Sequence, residues 1–302
     1  LEDWQIKDSE RKKQREVKKT ADRAKQRLFY ITNINRLRQG EYGIILKTAK
    51  VYLRLFTDIS KEIPAHERIS DWVGSDISEA CMEGFEANLI KNPPDVNAQD
   101  IATILPQGRY YEASFILIVG LAERVRNSKY FSDLPDERLV AAYLFLSYHR
   151  FDEHAGINNL YTHIVEELKK RKIFKEAIQD FYEPHFKAQC THIGGLSQFM
   201  RKIEYAELST ELAKNWLNKF KDLTTEAETE LLDCLLHNGK FKELKQLLPT
   251  LSLSNNNEKK KNRLAISLIV NFEETISSLA NQSIDKSLIW TLRDRITGRY
   301  RE

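Results

Sequence analysis

The first glycine of this chain is Gly40, and its 302 residues hold only 11 Gly and 7 Pro. That is about half the average usage of roughly 7% and 5%. Many-stranded sandwiches and barrels need turn residues every 8–12 positions, so the scarcity argues against them and towards helices joined by short breaks. The apolar residues agree, because they recur at steps of three and four rather than two. A 41% apolar and 30% charged composition excludes a disordered chain. No apolar run reaches the roughly 18 residues of a membrane span. The chain starts at Leu1 and carries no signal-peptide pattern, so a cytoplasmic fragment of a larger protein with no membrane partner is expected. Cys81, Cys190 and Cys234 are odd in number and far apart, which supports buried free thiols rather than a disulfide framework or a zinc ribbon.

The net charge of +3 is an average: residues 1–50 hold 14 Lys/Arg against 7 Asp/Glu, a surplus of +7 that leaves −4 for the rest. Residues 7–16 (KDSERKKQRE) contain no apolar side chain, and good helix formers continue to Gly40, which predicts one long first helix. From Val17 the apolar positions Val17, Ala21, Ala24, Leu28 and Ile31 alternate steps of four and three. They form one stripe, on which the second half of the helix is expected to pack.

Beyond Gly40 the pattern predicts helices over Tyr42 to Ile59, over Ala65 to Val73, and from a Ser75 or Asp76 cap to Lys91, where Pro93 and Pro94 stop it. Further helices are expected over residues 97–105, 110–127, 135–149, 157–171, 173–191, 196–206, 210–221, 225–238, 240–248, 258–270, 271–281 and 284–297. Phe115 to Ala122 (FILIVGLA) and Leu139 to Leu146 (LVAAYLFL) are apolar all round and should be central. The first could be a buried strand, but Tyr111, Phe115, Ile118, Ala122 and Val125 keep helical spacing. The expected fold is all-α with no sheet, an irregular α-solenoid of stacked helical hairpins resembling HEAT or tetratricopeptide arrays, although no repeat signature recurs at a fixed period. An irregular bundle is the alternative. The expected divisions are a basic linker helix (1–40), a helical array (41–253) and a C-terminal helical cap (254–302), with Ser254 to Lys261 (SNNNEKKK) as the polar loop between the last two.

Catalytic signatures are sparse. Gly194-Gly195 is followed by Leu196-Ser197 and Gly239-Lys240 by Phe241, so neither is a phosphate-binding loop, and neither HExxH nor GxSxG occurs. His149 to His154 (HRFDEH) concentrates titratable groups, and His185, Cys190 and His192 form a second loose cluster. Neither has metal-ligand spacing, and structural roles are expected for both, with His149 at a helix C-terminus. His66, His163 and His237 are isolated. No catalytic residue, metal or cofactor is expected. The N-terminal helix is the strongest electrostatic feature, with nine Lys/Arg in residues 11–27 against Glu16 and Asp22. It reads first as a solvated connector. Its alternative is nucleic-acid binding through Arg11, Lys12, Lys13, Arg15, Lys18 and Lys19, by counterion release. Lys259 to Arg263 (KKKNR) reads as a solvated loop.

Trp72 to Leu89 (WVGSDISEACMEGFEANL), a two-proline break, a helix, and Leu134 to Leu139 (LPDERL) opening an Ala-rich helix together resemble a region of bacterial NACHT-like NTPases of the STAND class. The order of Trp4, a basic helix and an amphipathic helix ending near Phe56 is similar too, as are the helices around Tyr161 to Leu168 and Leu231 to Leu248; the likeness spans about residues 4–250. The resemblance implies a non-catalytic helical array acting as the sensor of an antiphage protein. Its ligand would be a protein, often a phage component, and the NTPase and effector domains would lie upstream in the same parent chain.

Overall fold

The computed structural model describes residues 3–56, 59–91, 96–157, 159–251, 256–279 and 286–297, and every regular element among them is helical. Two compact units divide the chain, residues 1–180 and 181–302. The boundaries expected after residues 40 and 253 therefore fall inside units.

The first unit contains α1 (Asp3–Thr32), α2 (Ile34–Arg38), α3 (Tyr42–Tyr52), α4 (Arg68–Val73), α5 (Ser75–Ile90), α6 (Ala98–Ile104), α7 (Ala113–Arg126), α8 (Asp136–Tyr148), α9 (Leu160–Lys170) and the start of α10 (Phe174–Lys187). The α5–α7 pair is its centre: α5 also packs on α2, α3 and α4, and α7 on α3, α8 and α9. Every residue of α7 from Ala113 to Arg124 is buried, and so are Leu139 to Phe145 of α8. FILIVGLA is thus a helix, and both all-apolar segments are central, as their composition predicts. Close approach at the α2–α5 crossing requires Gly84, where a β-carbon would lie 2.0 Å from the Leu37 carbonyl oxygen.

Several helix ends differ from expectation. The first helix breaks at Asn33 (φ −110°, ψ 22°) instead of running to Gly40, and there the Asn33 side-chain amide donates to the Phe29 carbonyl (2.8 Å) beside the backbone bond from Asn33 N–H. α3 stops at Tyr52 rather than Ile59. Arg54 there takes φ of 57°, and Arg54 N–H and Leu55 N–H close on the Val51 and Lys50 carbonyls in a Schellman motif. Gly74, not Ser75 or Asp76, occupies the N-cap of α5. Pro93 and Pro94 lie outside the described residues.

The second unit holds the end of α10, then α11 (Leu196–Arg201), α12 (Ala206–Lys219), α13 (Thr225–His237), α14 (Phe241–Leu247), α15 (Asn257–Val270), α16 (Phe272–Leu279) and α17 (Ser287–Thr297). α13 packs on α11, α12, α14 and α15, while α15 carries α16 and α17. Extended backbone at Lys202 (ψ 115°) and a 3-10 turn over Ile203–Tyr205 end α11 earlier and start α12 earlier than the apolar spacing suggests. Trp216 is fully buried, and its Nε1–H donates to Glu183 at 3.1 Å.

The polar SNNNEKKK stretch is not a loop throughout. Residues 254 and 255 lie outside the described part, but the Asn256 side chain accepts from the Glu258 and Lys259 amides and caps α15, which contains the whole KKKNR cluster. Lys259 and Arg263, four residues apart, share one helix face and turn inward rather than into solvent. Arg263 grips buried Glu228 with two hydrogen bonds (2.6 and 2.7 Å), and the Lys259 ammonium lies 3.5 Å from the same carboxylate.

Candidate functional site

The distinctive surface of the first unit is built on α1. Its helix formers need no packing partner over the first turns, and residues 7–18 are exposed throughout. Docking begins near Arg23 and is carried by amphipathic side chains. Tyr30 is 1% exposed and sets its ring edge-on against Trp72 at 5.7 Å. The Arg27 guanidinium donates to both Asp76 carboxylate oxygens (2.9 and 3.1 Å) and to the Val73 carbonyl at the end of α4. Arg27 thereby holds the Asp76 carboxyl below the usual carboxylate range. Arg23 lies 3.6 Å from Asp71.

The expected packing stripe is therefore on the wrong side. Val17 (72% exposed), Leu28 (66%) and Ile31 (43%) face solvent, and Ala21 and Ala24 are exposed with them. On a 3.6-residue helix these positions lie roughly opposite Gln26 and Tyr30. One buried aromatic, two arginine stems, and carboxylate and carbonyl acceptors on the docking side outweigh five aliphatic positions of which two are alanine. Aliphatic periodicity gives Tyr30, Arg23 and Arg27 no weight, and so it selects the other face.

Between α1 and α3 runs a cleft of about 500 Å³, lined by Arg15, Lys18, Lys19, Asp22, Arg23, Lys25 and Gln26 of α1, Lys47 and Val51 of α3, and Phe56, Ile59 and Trp72. Its cations are six and its only carboxylate is Asp22. The exposed Lys47 ammonium sits 5.2 Å from the centre of the Trp72 ring, a cation–π contact that holds this charge beside the cleft. Of the six sequence-selected basic residues, Arg15, Lys18 and Lys19 line the cleft. Arg11, Lys12 and Lys13 lie beyond it on the exposed turns, where Lys12 pairs with Asp8 (2.8 Å). Lys47 and Trp72 were not indicated by the basic run, since they reach the cleft only through tertiary packing.

The titratable clusters are engaged in holding the fold. His149 is the C-cap residue of α8, stacked on Phe145 at 5.3 Å and edge-on to Phe151 at 4.5 Å; burial lowers its basicity and favours the neutral ring. Asp152 accepts from the His154 amide (2.7 Å) and from Arg54 (2.9 Å), which hold its carboxyl low. Buried Arg68 donates to the carbonyls of Ile63 (3.0 Å), Tyr52 (2.6 Å) and His154. The HRFDEH segment thus ties loops together. His185 is buried with Nδ1 2.6 Å from the Phe181 carbonyl, Cys190 is half-buried and His192 is exposed. His66 and His163 sit beside Glu67 and Glu166, and His237 ends α13. Cys81 and Cys234 are buried, and desolvation pushes the Cys81 thiol up to about 12. No group of three or more His, Cys, Asp or Glu among the described residues is placed to hold a metal ion. No described helix is long and apolar enough to cross a membrane. No family model matches the chain, and neither a curated protein nor a solved structure matches it.

Proposed function

We propose that this chain is a non-catalytic α-helical scaffold that binds a protein ligand, with α1 as its docking element. The observation that carries the reading is the outward apolar stripe of Val17, Ala21, Ala24, Leu28 and Ile31 on a helix whose other exposed positions are mostly charged or polar. Contiguous exposed apolar surface rimmed by polar residues marks interaction sites, and the stripe is read as one. The setting rests on the resemblance of Trp72 to Leu89 and Leu134 to Leu139. It is a cytoplasmic sensor region of a bacterial STAND-type NTPase in antiphage defence, recognising a protein such as a phage component and regulating upstream NTPase and effector domains. Stacking as a HEAT- or tetratricopeptide-like array belongs to the same reading, and the pairing of consecutive helices α11 to α16 supports it. Phosphate release from ATP by the purified chain tests the non-catalytic part. No release above the blank is expected, and turnover would overturn it.

The cleft favours one further reading, a polyanion such as nucleic acid held by Arg15, Lys18, Lys19, Arg23, Lys25 and Lys47. Binding of this kind weakens steeply with salt, and each phosphate contact removed lowers the salt slope by roughly one. Reversal of Arg15, Lys18 and Lys19 to Glu should abolish it. Binding of DNA or RNA that ignores both salt and reversal would count against the cleft.

A further inference from the structure

The alternation of steps from Val17 to Ile31 is that of a coiled-coil seam, two alternating positions of a heptad over a helix length of about 21 Å. The positions flanking the seam choose its partner. From residue 11 to residue 32 they are Arg11, Lys13, Lys18, Thr20, Lys25, Arg27 and Thr32, with five cations and no carboxylate. Arg27 is occupied by Asp76, whereas Arg11, Lys13, Lys18 and Lys25 make no ion pair among the described residues. A second copy in parallel would set Lys13 against Lys18, and in antiparallel order Lys18 against Lys25, so like charges oppose self-pairing. The centre of the seam is Ala21 and Ala24. Small residues there let another helix backbone come close, whereas they offer a lipid surface little to insert.

We propose that the outer face of α1 takes one amphipathic helix of a partner protein, with apolar residues at seam spacing and Glu or Asp along its flanks. This inference rests on the scaffold reading above and names the partner's chemistry. Lys18 and Lys25 line both the cleft and the seam, and are placed to meet the partner's carboxylates.

Titration of the full chain with three labelled synthetic helical peptides tests it. One has Leu at the seam and Glu at the flanks, the second has the same composition with the Leu positions scrambled, and the third has Leu at the seam and Lys at the flanks. The chain should bind the first at least tenfold more tightly than either other peptide. Leu28→Ser with Val17→Ser should lose that tenfold preference. Lys18→Glu with Lys25→Glu should transfer it to the Lys-flanked peptide. These substitutions are on exposed positions, so helicity and melting temperature should stay unchanged. Equal binding of the scrambled peptide would overturn the proposal, leaving only electrostatic adsorption. So would concentration-dependent self-association abolished by Leu28→Ser, or tighter binding to phosphatidylserine vesicles than to the peptide. A photo-crosslinker at Thr20 on α1 and another at the exposed Glu211 on α12, in the second unit, separate this inference from its basis. Protein adducts at Glu211 alone would leave a protein-binding scaffold but overturn α1 as its docking element, and none at either position would remove both.

Discussion

At the scale of single residues, buried charge is held mainly by complete partnering, as with Arg68 on three carbonyls and Glu228 between Arg263 and Lys259. Asp233 is the exception with a measurable signature. Burial pushes its carboxyl up to about 6, and Arg295, 3.5 Å away and itself 4% exposed, only partly opposes the shift. A folded-state value above the unfolded value near 3.9 means that this group's contribution is complete below about pH 4 and is lost as pH rises through about 6. Relative to Asp233→Asn, the wild-type chain should therefore lose stability between pH 4 and pH 8, by about 3 kcal/mol from a two-unit shift. Urea unfolding of both proteins across that range checks the sign. A difference that stays flat, or that favours the wild type at high pH, would contradict the burial argument.

At the scale of elements, existence was more legible than boundaries. Scarce Gly and Pro and the three-four spacing were enough for an all-helical chain with FILIVGLA and LVAAYLFL at its centre, because those signals depend on many residues at once. The ends of α3 and α10 were hidden because they close on Arg54 and Gln189, non-glycine residues with φ of 57° and 52°, whereas α7 and α9 close in the same way on Ser128 and Lys172 and end within one residue of expectation. The hydrogen bonds that close these turns are made by backbone groups and leave no residue-type signal. Gly239 closes α13 in the same way with open space around it, so there the requirement is conformational alone. Lys172→Gly should raise stability by about 0.5–1 kcal/mol and Gly239→Ala should lower it by a similar amount, both read from thermal or urea unfolding. The KKKNR cluster was misplaced for a related reason. One Asn256 side chain caps α15 and converts an apparent polar loop into a helix, two of whose cations are turned inward.

At the scale of the whole molecule, the functional reading turns on which way α1 faces. The basic run was visible in the sequence, and Arg15, Lys18 and Lys19 do reach a cleft, but Lys47 and Trp72 come from distant parts of the chain and only folding brings them there. The apolar stripe is visible too, and its spacing predicts packing on the core, where aliphatic residues usually go. The packed face instead uses Tyr30, Arg23 and Arg27, which leaves Val17, Leu28 and Ile31 exposed. Hydroxyl-radical footprinting of the intact chain measures this orientation directly, since side-chain oxidation follows exposure. Val17 and Leu28 should oxidise at rates near those of an unfolded peptide, while Tyr30 and Leu37 are protected. Protection of Leu28 and Ile31 with oxidation of Tyr30 would mean that α1 packs on its aliphatic stripe and offers no docking face.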